Sequence, residues 1–303
     1  MDGIINVLKP SNMTSHDVVG FLRRVTGIKK IGHTGTLDPN AAGVLPVCIG
    51  KATRVAEYFN DTEISKSYRA ELKLGKATVT EDRYSSAVEV KDFETPAEED
   101  IKSLFQKFTG EIEQIPPMYS AKKVGGKKLY ELAREGIEVE RKKRKVSIYR
   151  LSLLNINEDG FLFDVDCSSG TYVRTLCKDM AEELGTVGHM SFLLRTRVGK
   201  FRLGDSLTLE EIEYLNETGE LENYLKSLDY PFDYMEKLKI GDRFFDGILN
   251  GVKIPLEELC YNDNENCLED SEKNIRVYCR GKFIGIGRAE SGKLRMKKVL
   301  ISK

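Results

Sequence analysis

Gly32-His33-Thr34-Gly35-Thr36-Leu37-Asp38-Pro39-Asn40-Ala41-Ala42-Gly43-Val44-Leu45-Pro46 is the stretch on which the reading of this chain turns. It gathers backbone-permissive residues around one histidine and one aspartate. Pro39 restricts the residue before it to extended geometry, so the Asp38 carboxylate leaves the chain in a defined direction. Glycines on both sides let a ligand approach the main chain. The glycines and prolines make residues 28–50 read as a long loop rather than regular structure. Neither G-x-x-x-x-G-K-[ST] nor G-x-G-x-x-G occurs, so this is not a phosphate loop. On the residues alone two readings stay open. Asp38-Pro39 starts a turn with a solvated or capping carboxylate, or Asp38 is a catalytic acid.

Working outward, Ser15 reads as an N-cap for a helix with Val18, Val19, Leu22 and Val25 on one stripe, stopped by Gly27. Residues 68–74 alternate, with Tyr68, Ala70, Leu72 and Leu74 on one face of a strand. Thr95-Pro96-Ala97-Glu98 reads as an N-cap, a first-turn proline and a capping acid for a helix with Ile101, Leu104, Phe105 and Phe108. Residues 146–154 and 160–167 read as strands joined by a loop over 155–159. Cys167-Ser168-Ser169-Gly170-Thr171-Tyr172-Val173-Arg174-Thr175 then runs from strand through a glycine turn into a helix. Arg174 stands in the first helical turn, where the macrodipole disfavours a cation. A partner carboxylate or phosphate explains it as well as an ordinary surface position does. A buried Arg–Asp pair would keep the carboxylate charged and aimed. Thr208-Leu209-Glu210-Glu211 is another capping box. After an acidic linker, short β-like runs at 277–279, 283–286 and 294–296 suggest a small all-β unit of about 70 residues.

The chain has 303 residues, 40% apolar and 31% charged, with 47 Lys+Arg against 48 Asp+Glu. This is a soluble globular composition that excludes collagen-like, coiled-coil and wholly disordered classes. No apolar run approaches the roughly 20 residues needed to cross a bilayer, and no signal peptide is visible. Six dispersed cysteines without C-x-x-C, and three histidines, assemble no zinc spacing. They point to reduced thiols in the cytoplasm, with Cys48 and Cys167 in the core. His16 and His189 read as structural, which leaves His33 as the one histidine in a candidate site. The near-neutral sum hides a segregation of charge. Residues 121–150 hold eleven Lys/Arg against four acids, a net of +7. Tyr119, Tyr130 and Tyr149 interleave with these bases, a pattern that tracks phosphates and stacks on nucleobases, although solvated helix faces also look like this. Five consecutive bases, Arg141 to Lys145, repel one another without a polyanion nearby.

Residues 32–46 resemble the signature of the bacterial tRNA pseudouridine synthase TruB family, whose members isomerise uridine 55 in the T loop. Further segments follow in order over about 200 residues. Val7-Leu8-Lys9-Pro10-Ser11-Asn12-Met13-Thr14-Ser15 is similar to the family's K-P-x-G-x-T-S. Ser67-Tyr68-Arg69 with Leu74-Gly75 is similar to its tyrosine-bearing strand. Residues 115–122 are similar to I-P-P-x-[YF]-S-A, 167–175 to C-S-x-G-T-Y-[IV]-R-[TS], and 188–199 to a later segment ending R-T-x-x-G.

The resemblance implies an α+β pseudouridine-synthase fold: a mixed, mainly antiparallel central sheet flanked by helices. It implies a catalytic domain over residues 1–232 with an RNA-gripping insertion at about 116–150, and a small β-rich PUA-like RNA-binding domain over 233–303. It assigns Asp38 as the catalytic aspartate, Tyr68 as the tyrosine that packs on the target base, and Arg174 as the partner of the carboxylate. His33, Lys9, Leu193, Tyr119 and Lys122 are expected to bind substrate. No cofactor and no metal are implied. The expected partner of this monomeric, cytoplasmic protein is the T-arm of tRNA, engaged by base flipping and away from any membrane. The alternative is a non-catalytic RNA-binding or tRNA-folding protein. Asn12, Arg54, Val79 and Ser85 depart from the family's usual Gly, Lys, Asp and Gly.

Overall fold

The computed structural model describes residues 1–120, 122–260 and 271–301. The chain begins with β1 (Gly3–Lys9), α1 (Ser15–Thr26), β2 (Ile31–His33), β3 (Ala42–Ile49) and a 3-10 run (Gly50–Asn60). Then come β4 (Lys66–Leu74), the hairpin β5 (Lys76–Thr78) and β6 (Ala87–Val90), α2 (Glu98–Phe108) and β7 (Gly110–Gln114). The basic insertion contributes β8 (Lys123–Val124), β9 (Lys127–Lys128) and α3 (Leu129–Arg134). The main body closes with β10 (Arg144–Asn157), β11 (Gly160–Cys167), α4 (Val173–Glu183), β12 (Gly188–Val198), β13 (Phe201–Arg202) and α5 (Leu209–Glu217). The C-terminal part carries β14 (Glu236–Lys239), α6 (Phe245–Leu249), β15 (Ile254–Pro255), α7 (Leu256–Cys260), β16 (Ser271–Cys279), β17 (Lys282–Glu290) and β18 (Lys293–Val299).

One nine-stranded sheet runs β1-β3-β12-β4-β11-β10-β7, with β2 on β3 and β13 on β12. Every pairing in it is antiparallel except β12 on β3. The sheet is therefore mixed and mainly antiparallel, as expected. β4 and β11 alternate as their sequences do, with Tyr68, Ala70, Leu72, Phe161, Phe163 and Val165 buried against α2 and α4. On the other flank, β1 and β3 bury Ile5, Val7, Leu45 and Val47 against α1 and α5.

The loop expected over residues 28–50 is corrected: its second half is β3, buried along nearly its whole length. A strand covered on both faces shows a continuous apolar run rather than alternation, and here Gly43 and Pro46 disguised it. Gly43 is required where β3 meets β12. It has φ +118°, and a Cβ there would lie 2.2 Å from the Arg195 carbonyl oxygen.

Two caps are also corrected. Thr14, not Ser15, caps α1: its hydroxyl accepts from the Asp17 N–H at 3.1 Å, and the Asp17 carboxylate accepts from the Thr14 N–H at 2.9 Å. Ala97 rather than Thr95 precedes α2, because the Thr95 hydroxyl is drawn away to the Glu158 carbonyl at 2.8 Å. The capping box at Thr208 forms as expected. Asn12 takes φ 63°, the left-handed turn geometry that asparagine tolerates.

The C-terminal part folds around a five-stranded sheet, β14-β16-β17-β18-β15. It also carries α6 and α7, so the expectation of an all-β unit is corrected to a β-rich one. Residues 261–270, part of the expected polar stretch and including Cys267, lie outside the described residues. The C-terminal sheet shares a core with the main body. Ile286 and Leu300 cluster with Val55, Phe59 and Phe232, and Arg54, which stands where the family usually has Lys, donates to the Val299 carbonyl at 2.6 Å.

Gly43→Ala is expected to cost about 3 kcal/mol of stability, because β3 or β12 must move to admit the methyl group. Urea unfolding checks this: an unchanged midpoint would show that the β3–β12 junction yields freely.

Candidate active site

The segment from Thr34 to Ala41 has no regular secondary structure, yet Thr34, Leu37 and Ala41 are buried. Its backbone polar groups therefore need partners from elsewhere. Ser15, the first residue of α1, accepts from the Leu37 N–H at 2.9 Å and donates to the Leu37 carbonyl at 3.2 Å. The Lys9 ammonium, fully buried at the end of β1, donates to the carbonyls of Pro10 at 2.8 Å, Pro39 at 3.0 Å and Met13. Arg195, 1% exposed on β12, donates to the carbonyls of Val44 at 2.7 Å, Gly35 at 3.2 Å and Thr36 at 3.4 Å. Three side chains from three elements thus fix the loop that presents Asp38.

Asp38 meets Arg174 across the fold. The Arg174 Nε lies 2.9 Å from Asp38 Oδ2, and its Nη2 lies 3.3 Å from Oδ1, a two-pronged pair. The remaining donors of Arg174 reach the Thr80 carbonyl and the Tyr119 carbonyl, each at 2.8 Å. Arg174 is 5% exposed and the Asp38 side chain 37%. The guanidinium is thus locked while the carboxylate faces an opening.

That opening is a cavity of about 260 Å³ lined by Asp38, Tyr68, Leu193, Lys66, Lys122 and the 170–174 turn, among others. Tyr68 lies on β4 directly opposite Arg195 of β12. Burial pushes the Tyr68 phenol up to about 12, against the opposing pull of Arg195.

Of the eight residues expected from sequence, five line this cavity: Asp38, Tyr68, Arg174, Leu193 and Lys122. Tyr119 is not in the lining and touches the site through its backbone carbonyl, which accepts from Arg174. Lys9 is not in the cavity lining; it braces the loop from behind, and burial lowers its pKa to about 8 against the raising influence of Asp38. His33 lies outside the lining on β2, with a buried Nδ1 that has no partner among the described residues. Burial and Arg195 lower its pKa. Of the two structural histidines, His189 is buried with Nδ1 2.7 Å from the Lys76 carbonyl, whereas His16 is exposed.

The sequence reading missed two residues, Arg195 and Lys66. Lys66 stands two residues before Tyr68 on the buried face of β4, so the alternation itself carried the signal of a buried lysine. The basic run is less bare than expected. Lys145 pairs with Glu111 and Lys143 with Glu113, both on β7, while Arg141 pairs with Glu138 and donates to the Pro116 carbonyl. Arg144 packs over the Tyr172 ring with 5.6 Å to its centroid, at the cavity wall.

Residues 23–173 match the TruB family pseudouridylate synthase (N terminal domain), and residues 174–235 match the tRNA pseudouridylate synthase B C-terminal domain. Relatives named tRNA pseudouridine synthase B include one from Alkaliphilus oremlandii, 46% identical over 95% of this chain and 93% of its own length. Another, from Clostridium tetani, is 40% identical over 99% of this chain and all of its own length. A solved structure described as a Cbf5-Nop10-Gar1 complex superposes with a TM-score of 0.75 at 24% identity, over 99% of this chain and 85% of that one, and supports the fold.

The pKa of Lys66 is lowered from 10.5 to about 8, first by burial and then by Arg195. Between those values the unfolded chain holds the extra proton, so the cost of the buried charge is full below pH 8 and fades as pH rises. Lys66→Met is therefore expected to be more stable than the wild type by about 2 to 3 kcal/mol at pH 7, with the advantage shrinking from pH 8 to 10. Urea unfolding of both proteins across that range measures the difference, and an advantage independent of pH contradicts it.

Proposed function

This chain belongs to the TruB family of pseudouridylate synthases, and on that footing we propose the reaction it performs and the residues that perform it. It isomerises uridine to pseudouridine in tRNA. The finer reading is position 55 of the T loop, engaged through the T-arm by a monomeric cytoplasmic protein. Residues 1–232 serve as the catalytic domain, with the insertion at about 116–150 gripping RNA, and residues 233–303 serve as a PUA-like RNA-binding domain. Among the described residues no helix is long and apolar enough to cross a membrane.

The observation that carries the reading is the two-pronged Arg174–Asp38 pair beside the Tyr68 ring at one cavity. The isomerisation breaks the C1′–N1 bond, forms C1′–C5, and moves a proton from C5 to N1. It has no net redox change, so it demands no electron carrier. The base must leave the helical stack to turn over, and a cavity with one aromatic wall is what an extruded base needs. Asp38 is the only acid in that lining among the described residues. Attack at C1′, attack at C6 and removal of a ribose proton each use it as a carboxylate with a fixed direction. Arg174 supplies that direction. Tyr68, whose phenol stays neutral near pH 7, contributes its ring rather than a phenolate. Substrate contact by His33 and Lys9 gains no support from their positions, whereas Leu193, Lys122 and the Tyr119 segment stay with the proposal.

Mapping pseudouridine in tRNA treated with the pure protein, together with tritium release from 5-³H-uridine tRNA, tests the reading. Asp38→Asn should still bind tRNA and lose activity by about 1,000-fold or more. Tritium release at the wild-type rate would end the assignment, and binding with no release by the wild type would favour a non-catalytic RNA-folding role.

A further inference from the structure

Lys66 is the one charged side chain in the cavity that the reaction as described leaves without a task. It is 8% exposed, and its ammonium has no hydrogen bond or ion pair among the described residues. The charges that weigh most on it are the cations Arg195 on β12 and Arg144 on β10, set against the Cys167 thiol from β11, while Asp38 in the same cavity is paired with Arg174. The ammonium sits beside the loop that presents Asp38, 3.5 Å from where a Cβ on Gly35 would stand. A buried cation beside cations, with no protein anion paired to it among the described residues, is costly unless something fills the cavity.

A second feature of the same wall points the same way. The N-cap of α4 is Tyr172, with no side-chain cap and no acid in the first turn. The Tyr172 N–H is taken by the Gln114 Oε1 at 3.0 Å, but the N–H groups of Val173, Arg174 and Thr175 find no acceptor among the described residues. Residues 170–174 line the cavity. An open helix start and an unpaired ammonium therefore share one chamber, and both favour negative charge.

The reaction generates such a charge inside the chamber. When C1′–N1 breaks, the bonding pair passes to N1 and spreads over O2 and O4 of uracil. The charge stays on the base until C5 bonds to C1′, after which C5 gives up its proton and N1 takes one up. We propose that Lys66, with the open first turn of α4, forms an oxyanion subsite that stabilises the negative charge on the detached uracil. This rests on the isomerase reading above and deepens it. Lys66 stands two residues from Tyr68 on the same strand face, so a base stacked on that ring lies within its reach. The subsite contributes where charge develops, which is the transition state rather than the bound substrate.

The test uses the full-length protein and two stem-loop RNAs that carry uridine or 5-fluorouridine at the target position. Fluorine makes the departing uracil a more stable anion. Lys66→Met is expected to lower kcat by about 100-fold on the uridine RNA, with KM within about threefold. On the fluorinated RNA, where C5 has no proton to lose and the single turnover is read as the disappearance of 5-fluorouridine, the deficit should shrink to about tenfold or less. Lys66→Ala should regain rate with added methylammonium. The proposal is overturned if KM rises while kcat holds and the slope of log affinity against log salt falls by about 0.7, which is the mark of a phosphate contact. An equal deficit on both RNAs also overturns it. A wild-type protein that forms no pseudouridine on the uridine RNA would instead remove the isomerase reading beneath it. Circular dichroism of each variant separates loss of chemistry from loss of fold.

Discussion

The segment that carries Asp38 is partly buried without belonging to a helix or to the sheet, and its inward carbonyls must find donors inside the protein. Lys9 and Arg195 meet that need with charged donors, which bond more strongly than neutral ones. Much else follows from this constraint. Lys9 must sit where β1 ends, Arg195 must point inward from β12, and β12 must lie parallel to β3 close enough that Gly43 admits no side chain. The catalytic geometry and the pairing at the centre of the sheet are therefore one structural problem.

The cost of that solution is an accumulation of cations. Lys9, Arg174 and Arg195 lie within reach of the Asp38 charge, Lys66 lines the same cavity, and all four cations are buried. Arg174 is neutralised directly by Asp38, and Lys9 and Arg195 are satisfied by carbonyls. Lys66 alone retains its charge without a partner among the described residues. A residue that lowers stability and keeps an unfilled bonding capacity inside a cavity is where function and stability are expected to trade against each other. The raised phenol of Tyr68 fits the same electrostatic picture, since it is held neutral by burial even beside a guanidinium.

Around this centre the basic insertion and the C-terminal part are anchored differently. The basic insertion is tied to β7 through exposed ion pairs, which contribute little individually. At the cavity the Tyr119 carbonyl accepts from Arg174, so the position of the insertion and the aim of the Asp38 carboxylate are coupled through one guanidinium. At the far end the C-terminal sheet is fixed by shared apolar packing of Ile286 and Leu300 against Val55, Phe59 and Phe232, a firmer attachment than a flexible tether.

The sequence by itself determined the period-two strands β4 and β11, the amphipathic helices α1, α2 and α4, and, through ordered motifs, the identities of Asp38, Tyr68 and Arg174. These are legible because they rest on local periodicity or on residue types at fixed short spacing. Only the tertiary structure decided that residues 42–49 form a central strand, because burial on both faces erases alternation and leaves glycine and proline to mislead. It also decided that Lys9 is a brace rather than a pocket residue, that His33 stands outside the chamber, and that Lys66 and Arg195 belong to the site. The path of a long side chain, and whether a charge finds a partner, depends on which strands become neighbours. Residues 66 and 195 are 129 positions apart in the chain, and nothing local records that their charges will face each other.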